Sequence, residues 1–248
     1  MSSQASYIQN RGKISFTYMD SGLYGSFINI SRLNAWRHAI ISHNISTTSV
    51  IDLGCSYGSW ASNYKELGFE SAVGIDVNED AVAVAKSRLA DAIVGDSSLL
   101  RARFLGCSVV GCNGVIVHIL EDDVEQRIFE DVFAGLKPGG FFVVALLNSD
   151  HYLTPSGFTP HVGPNSRTQR LEHHEAFLKS AGFRIVDKIG TFINPWFAEQ
   201  TRFLAEIPEF KVNWRMFGGL IEMGAALRET GDARLFSEVL YVCQKPGG

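Results

Sequence analysis

Cysteine, proline and long apolar runs are all scarce in this chain of 248 residues. Its four cysteines, at positions 55, 107, 112 and 243, are too few and too irregular for a disulfide framework or a zinc knuckle. No run of about 18 apolar residues is present, which predicts no membrane-spanning helix. No signal-peptide core occurs in the opening residues MSSQASYIQNRGK. We therefore expect a cytoplasmic protein with no membrane partner.

The chain also lacks an excess of basic residues. It has 22 Lys and Arg against 26 Asp and Glu, for a formal net charge of −4. A protein that binds phosphate backbones needs a concentrated basic surface, so the composition disfavours nucleic acid as a partner. Hydrophobic residues make up 46% of the chain, which is enough to form a full core. The length fits one large domain, or one domain with a modest addition.

Short apolar runs and helical patterns alternate through the middle of the chain. Strands are predicted at 49–53, 72–75, 92–94, 108–112, 141–147, 183–189 and 238–244. The run at 141–147 is almost wholly apolar, as expected for a strand that is buried on both faces. Strands separated by helices at this spacing predict right-handed crossovers and a parallel sheet. We therefore predict an α/β fold with a doubly wound, mostly parallel seven-stranded sheet.

Two segments fall outside this alternation. Residues 1–45 include an amphipathic helix around 28–41, and we expect them to form an N-terminal helical cap segment. Residues 46–248 are expected to form the main domain. Within that domain, residues 191–236 are rich in aromatic side chains and precede the last strand. We expect them to form a lid over the carboxyl edge of the sheet, where open α/β sheets bind ligands; alternatively, these rings build only the segment's own core.

The strongest local signal is the segment VIDLGCSYGSW at residues 50–60, a strand that enters a glycine turn and then a helix. Gly54 and Gly58 let the backbone approach a ligand closely because they carry no Cβ. The free N–H groups at the start of the next helix favour an anionic group. The glycine spacing differs from the G-x-G-x-x-G pattern of dinucleotide sites. Asp52 lies just before the turn, where a carboxylate could engage a cationic amine.

Acidic residues also follow the next two strands. Asp76 ends the second strand, where a carboxylate can accept hydrogen bonds from both hydroxyls of a ribose. Asp96 ends the third strand, where it could accept a hydrogen bond from the amine of adenine. Each has a plainer interpretation as a helix cap or turn residue. Their occurrence at successive strand ends favours a nucleoside site.

These motifs together resemble the class I S-adenosylmethionine-dependent methyltransferases. The resemblance rests on VIDLGCSYGSW, VGIDVNEDAV, IVGD, CNGVIVHIL, GLKPGGFFVVAL, HHEAFLKSAGFRIV and SEVLYVCQKP. It covers residues 45–190 and 237–245. It implies a Rossmann-like methyltransferase fold, S-adenosylmethionine as the cofactor and S-adenosylhomocysteine as the product. It does not identify the methyl acceptor.

The resemblance also implies which residues bind the cofactor. One set would face the methionine part and its amino group: Asp52, Gly54, Cys55, Ser56, Gly58 and Cys112. A second set would hold the nucleoside: Asp76 at the ribose, Val77 against the adenine face, and Asp96 and Ser97 at the adenine edge.

Two positions depart from the family's pattern. Ser56 stands where many members have glycine, a change that the turn tolerates if this residue keeps a negative φ. Ser108 stands where members often have an acidic residue at the start of the fourth strand. This second departure puts in doubt any mechanism that relies on a carboxylate at that point.

Methyl transfer mainly requires a nucleophile aligned with the S–CH₃ bond and water excluded, so a general base is optional. His118 follows the fourth strand and aligns with a histidine common in the family, which makes it the first candidate base; alternatively, it only packs in its loop. His151 follows the fifth strand and is the second candidate. His173 and His174 are consecutive on a predicted helix and point about 100° apart, so we expect no metal site there but a solvated or lid-facing helix surface.

We expect the methyl acceptor to be a small aromatic or apolar molecule of the kind found in secondary metabolism, because the aromatic-rich segment predicts an enclosed apolar pocket. Oxygen is favoured as the reacting atom, then nitrogen, then carbon.

One alternative is an RNA or protein methyltransferase, which needs an open groove. Another is a protein that binds S-adenosylmethionine without transferring its methyl group, as a cyclase-like enzyme or an accessory protein. The oligomeric state is left open, with a homodimer as one possibility.

Overall fold

The computed structural model describes residues 23–150, 167–192 and 211–247. Its helices in these ranges are α1 (Leu23–His43), α2 (Ala61–Glu66), α3 (Glu79–Ala85), α4 (Ser98–Arg103), α5 (Asp122–Gly135), α6 (Leu171–Ser180) and α7 (Lys211–Arg228). The strands are β1 (Ser49–Leu53), β2 (Ser71–Asp76), β3 (Asp91–Val94), β4 (Cys107–Asn113), β5 (Leu136–Leu147), β6 (Arg184–Gly190) and β7 (Glu238–Gln244). Short 3-10 helices lie at Ile116–His118 and Ala233–Leu235.

The strands form one sheet in the order β3-β2-β1-β4-β5-β7-β6. Strands β1 to β5 pair in parallel, and β7 runs antiparallel between β5 and β6. The predicted α/β fold with a mostly parallel seven-stranded sheet is confirmed. The chain order changes direction at β1, because β2 lies on one side of it and β4 on the other. The carboxyl ends of β1 and β4 therefore form the switch point at which ligands bind in such sheets.

Each face of the sheet buries its own apolar cluster. One cluster takes side chains from α4, α5 and α6, and the other takes side chains from α1 and α2. Strand β1 contributes to both, with Ile51 and Leu53 in the first and Val50 in the second, because successive side chains of a strand point to opposite faces. Asp52 falls on the same face as Val50, beneath α1 and α2.

The N-terminal helix α1 is part of this core. Ala35, Trp36 and Ala39 are fully buried and pack with Val50 on the sheet face. The described part of the N-terminal segment therefore covers a face of the sheet. In the aromatic-rich segment, α7 is described and packs against α1 and β6, while residues 193–210 lie outside the described ranges.

The boundaries differ from the sequence prediction mainly where turns adjoin helices. The helix predicted from Gly58 begins at Ala61, because residues 56–60 form successive turns. Helix α4 (Ser98–Arg103) was not predicted from the sequence. Helix α3 begins at Glu79, because the Asn78 side chain caps it by accepting a hydrogen bond from Ala81 N at 3.1 Å.

Candidate cofactor site

The glycine turn after β1 is held by a left-handed backbone and by the neighbouring strand. Gly54 has φ +78° and Gly58 has φ +74°, both in the region that favours glycine. The N–H groups of Gly54 and Cys55 donate to Ile75 O at 2.7 and 3.1 Å, which ties the turn to β2. A Cβ at Gly54 would lie 2.1 Å from Val115 Cγ2, so no larger residue fits without rearrangement. The turn thus presents bare backbone at the carboxyl edge.

Ser56 adopts the left-handed conformation. Its φ is +49°, so the condition of a negative φ, under which the turn would tolerate serine at this position, is not met. The cause lies in the neighbouring strand, because Ser56 N donates to Asp76 Oδ2 at 2.8 Å and this bond orients the peptide. A non-glycine residue with positive φ is strained and tends to occur at functional turns.

Asp76 joins the glycine turn to the end of β2. Its side chain is 5% exposed, and its second oxygen accepts from Asn78 N at 2.9 Å. Each carboxylate oxygen can accept two hydrogen bonds. Asp76 can therefore hold the turn through Ser56 and still accept bonds from a pair of ligand hydroxyls.

Asp52 ends a line of hydrogen bonds that reaches it from α1. Trp36 Nε1 donates to Asn113 Oδ1 at 2.9 Å, Asn113 Nδ2 donates to Tyr64 Oη at 3.0 Å, and Tyr64 Oη donates to Asp52 Oδ1 at 2.9 Å. Burial raises the pKa of Asp52 to about 7, while the Tyr64 bond opposes this shift and the charge of Asp76 adds to it. Asp52 thus ionises near neutral pH.

Sequence reasoning missed Trp36, Tyr64 and Asn113. Their positions follow no spacing motif, since they come from α1, α2 and the end of β4. The one sequence signal is Gly111 inside β4, where a Cβ would lie 2.5 Å from Tyr64 Oη. A glycine within a strand indicates a close approach of this kind.

Asp96 and Ser97 take part in contacts at the start of α4. Asp96 is exposed and accepts from Ser98 N at 3.0 Å, which is the cap-type contact considered for it above. The Ser97 hydroxyl donates to Asp131 Oδ2 at 2.6 Å, and Arg101 pairs with the other oxygen of Asp131. Val77 is half-buried and directly follows β2.

The two cysteines of the predicted site are buried free thiols. Cys55 packs with Val82 and Ala85 of α3, so only its backbone can face the switch point. Cys112 is fully buried within β4, and Asn113 follows it as the last residue of that strand. Burial raises the pKa of both thiols well above the usual range, which keeps them neutral.

The candidate base His118 lies at the carboxyl edge of β4. It ends the 3-10 helix Ile116–His118 and is half-buried. Arg167 secures this segment, since its backbone N–H donates to Val117 O at 2.7 Å and its side chain donates to Leu120 O at 3.1 Å. His151, the second candidate, lies outside the described residues.

The expectation of a solvated or lid-facing helix surface at His173 and His174 is wrong for His174. That ring is 3% exposed, with Nδ1 at 3.0 Å from Glu125 Oε1 and Nε2 at 3.2 Å from Leu147 O. His173 is half-buried, and its Nε2 lies 3.7 Å from Asp122 Oδ1 and 3.8 Å from Glu125 Oε2. The Arg167 guanidinium bridges both carboxylates, and its positive charge disfavours a cation there.

Comparison with known proteins identifies the domain. Residues 50–140 match the family model described as a methyltransferase domain, and this stretch runs from β1 to the start of β5. This segment is therefore similar to known methyltransferase domains. The match contains the glycine turn, Asp76 and the end of β4, which are the elements of the candidate cofactor site.

The chain also resembles a curated protein in sequence. It is 33% identical over 97 residues to the ribosomal protein L11 methyltransferase of Halalkalibacterium halodurans. The similarity covers 39% of this chain and 31% of that relative, so the chain matches about a third of the relative's length.

Solved methyltransferases share the fold over nearly the whole chain. A methyltransferase from Clostridium acetobutylicum has a TM-score of 0.58 at 14% identity, covering 88% of this chain and 92% of its own. Magnesium protoporphyrin IX methyltransferase from Synechocystis, solved with bound S-adenosylmethionine, has a TM-score of 0.60 at 10% identity. The alignment covers 99% of this chain and 98% of that protein. The cyclase SpnF has a TM-score of 0.57 at 19% identity, and the alignment covers 89% of this chain and 82% of that protein. At these identities the likeness shows the fold alone.

Among the described residues, none of the helices is long and apolar enough to cross a bilayer.

Proposed function

We propose that the protein transfers a methyl group from S-adenosylmethionine to a small-molecule acceptor. The observation that carries the proposal is the pairing of two carboxylates at the carboxyl edge with a bare backbone turn between them. Asp52 precedes the turn and Asp76 is bonded to its middle at Ser56. This arrangement suits a ligand that has hydroxyls at one end and an ammonium group at the other.

The chain's residues would bind and orient the cofactor as follows. Asp76 would accept hydrogen bonds from the ribose hydroxyls, with Val77 against the adenine and Asp96 and Ser97 near its edge. Asp52 would receive the ammonium group, and the backbone of residues 54–58 would lie along the methionine part. When bound, S-adenosylmethionine supplies an electrophilic methyl carbon. The protein's remaining task is to align the acceptor and exclude water.

His118 is the proposed general base. Its position after β4 places it at the same carboxyl edge as the glycine turn. An acceptor hydroxyl or ammonium must lose a proton, and His118 would take it, a role that contributes about 10²–10⁴-fold to a rate. His151 after β5 is the second candidate. Oxygen is the proposed reacting atom, with nitrogen second and carbon third.

Charge and composition support a small acceptor. The net charge of −4 disfavours RNA as the acceptor, and the seven aromatic side chains of residues 191–217 suit an apolar pocket.

The relative from Halalkalibacterium favours a second candidate, a protein acceptor, because its name describes a methyltransferase of a ribosomal protein. The structural similarity to a cyclase keeps open a third use of the fold, in which the cofactor is bound but no methyl group is transferred.

Calorimetric titration tests the cofactor assignment first. The purified protein is titrated with S-adenosylmethionine, S-adenosylhomocysteine and NADH. We expect both adenosyl compounds to bind at micromolar concentration and NADH not to bind. Binding of NADH in place of the adenosyl compounds would overturn the assignment.

Methyl transfer is then tested with S-adenosylmethionine labelled in its methyl group. The labelled cofactor is incubated separately with a small-molecule extract, ribosomal proteins and RNA. We expect label only in the small-molecule fraction, and at least about tenfold slower transfer by His118→Ala with unchanged cofactor affinity. Label in the protein fraction would support the second candidate, and bound cofactor without any labelled product would support the third. Wild-type transfer by His118→Ala would show that His118 is structural.

A further inference from the structure

The hydrogen bonds that reach Asp52 can run in one direction only. An indole N–H can donate but not accept, so Trp36 must face the oxygen of the Asn113 amide. The amide nitrogen of Asn113 therefore faces Tyr64, and it too can only donate. The Tyr64 oxygen accepts this bond, which leaves its own hydrogen for Asp52. Every donor in the series thus points toward one carboxylate.

The side chains in this series have little freedom to move. Trp36 and Tyr64 are both fully buried, and their rings meet edge to face at a centroid distance of 5.8 Å. Phe69 packs against both rings, at 6.2 Å from Trp36 and 5.7 Å from Tyr64. The space that Gly111 leaves empty is filled by Tyr64 Oη and the Trp36 ring. The donor is therefore held in place before any ligand arrives.

Among the described residues, Asp76 is the charged group that acts on Asp52. Asp76 faces it from β2, and its negative charge disfavours the ionised carboxylate. The thiols of Cys55 and Cys112 are neutral neighbours, because burial raises their pKa. Arg32 of α1 lies near enough to Cys112 to act on its thiol. Among the described residues, Tyr64 is thus the group that donates a hydrogen bond to the Asp52 carboxylate and stabilises its negative charge.

We propose that Trp36, Asn113 and Tyr64 are positioning residues for the cofactor, which orient Asp52 and keep it ionised to receive the ligand's ammonium group. The inference rests on the proposed function. It makes α1, which lies outside the matched domain, a working part of the cofactor site.

A pH dependence of ligand binding follows from this arrangement. The pKa of Asp52 is raised to about 7, so its charge is present above pH 7 and is lost as the pH falls through 7. The affinity for a ligand with an ammonium group must fall over the same range. The midpoint of this pH dependence is the pH at which half of the Asp52 side chains are ionised. Removing the Tyr64 donor destabilises the Asp52 carboxylate, so the midpoint moves to higher pH.

The test compares two ligands that share a nucleoside. Wild type and Tyr64→Phe are titrated by calorimetry from about pH 5.5 to about pH 8 with S-adenosylhomocysteine and with methylthioadenosine, which lacks the amino acid part. For wild type we expect affinity for S-adenosylhomocysteine to fall about tenfold per pH unit below 7. For Tyr64→Phe we expect about tenfold weaker binding at pH 7 and a higher midpoint. Methylthioadenosine should bind both proteins equally at every pH.

Two further variants separate positioning from packing. Trp36→Phe keeps a ring but removes the first donor, so its midpoint should move in the same direction as that of Tyr64→Phe, by less. Trp36→Phe also tests the positioning role if Tyr64→Phe folds poorly. Phe69→Leu disturbs the packing of both rings without removing a hydrogen bond. Its midpoint should therefore move less than that of Tyr64→Phe.

The outcomes distinguish this inference from the proposed function. If S-adenosylhomocysteine binds and the midpoint is the same in wild type, Tyr64→Phe and Trp36→Phe, the positioning role is overturned while cofactor binding stands. If Phe69→Leu moves the midpoint as far as Tyr64→Phe, packing explains the effect and the inference fails. If neither ligand binds the wild-type protein, the proposed function fails and the positioning role with it.

Discussion

Ser56 is a single residue whose backbone is set by a partner on another strand. Its φ of +49° follows from the hydrogen bond between its N–H and the Asp76 carboxylate. A Cβ in the left-handed region costs about 1–2 kcal/mol per residue. The strain thus lies in the turn that is proposed to contact the cofactor.

Ser56→Gly should therefore stabilise the protein. Glycine removes the strain but loses more conformational entropy on folding, so we expect the free energy of unfolding to rise by about 0.5–1 kcal/mol. Urea denaturation of the ligand-free protein measures this change. Ser59→Gly, in the same turn without a positive φ, is the matched control and should give no gain. Equal effects of the two substitutions would show that Ser56 is not strained.

Asp76 is the residue on which both the turn and the proposed ribose contact depend. Asp76→Ala should weaken S-adenosylmethionine binding by about 1–3 kcal/mol, the scale of losing hydrogen bonds to a charged group. Calorimetry measures the loss. Asp80→Ala removes an exposed carboxylate from the first turn of α3 and should leave the affinity unchanged. Unchanged affinity in folded Asp76→Ala would show that the ribose binds elsewhere.

At the scale of elements, a buried ion pair joins the first described helix to the last strand. Arg32 of α1 and Glu238 of β7 make two contacts, with Nε to Oε1 at 2.7 Å, and their side chains are 8% and 1% exposed. The Thr191 hydroxyl also donates to Glu238 Oε1, at 3.0 Å. Removing one partner of such a pair leaves the other charge buried and uncompensated.

Arg32→Met should accordingly lower the free energy of unfolding by about 3–5 kcal/mol. Arg37→Met is the control, since it breaks an exposed pair with Glu66 on the same helix, with side chains 45% and 56% exposed. We expect that change to cost about 1 kcal/mol or less. Denaturant titrations of both variants give the comparison. Similar costs would mean that the Arg32 pair does not hold α1 to the sheet.

At the scale of the whole molecule, the two faces of the sheet and the site form one connected core. Strand β1 contributes to both apolar clusters and leads directly into the glycine turn, so the site cannot form without the sheet. Helix α1 shares a cluster with β1 and with β7. A ligand held by the turn should therefore stabilise the entire fold, because it binds the native state and not the unfolded chain.

Thermal unfolding should reveal this linkage. With S-adenosylhomocysteine at 100 times its dissociation constant, the free energy of unfolding should rise by about 2.7 kcal/mol, and the single transition should move as a whole. NADH at the same concentration should not move it. A melting curve that splits into two steps, only one of them sensitive to the ligand, would show that the site and the core unfold separately.

The amino-acid sequence by itself determined the succession of strands along the chain, the glycine turn and the position of Asp76 at a strand end, because these depend on local patterns. Apolar runs of strand length alternate with helical spacing, and β7 was predicted with the bounds observed, Glu238–Gln244. The fold class follows from this alternation, since helices between strands enforce parallel pairing. The positions of the carboxylates at the carboxyl edge follow in turn from the strand ends.

Only the tertiary structure decided how these residues are partnered. The φ of Ser56 depends on a bond to Asp76, and the burial of His174 depends on Glu125 of another helix. The donors that reach Asp52 come from three separate elements and share no spacing in the chain. Hydrogen-bond partners that lie far apart in sequence leave no periodic signal, because their contact is created by the packing of the elements that carry them.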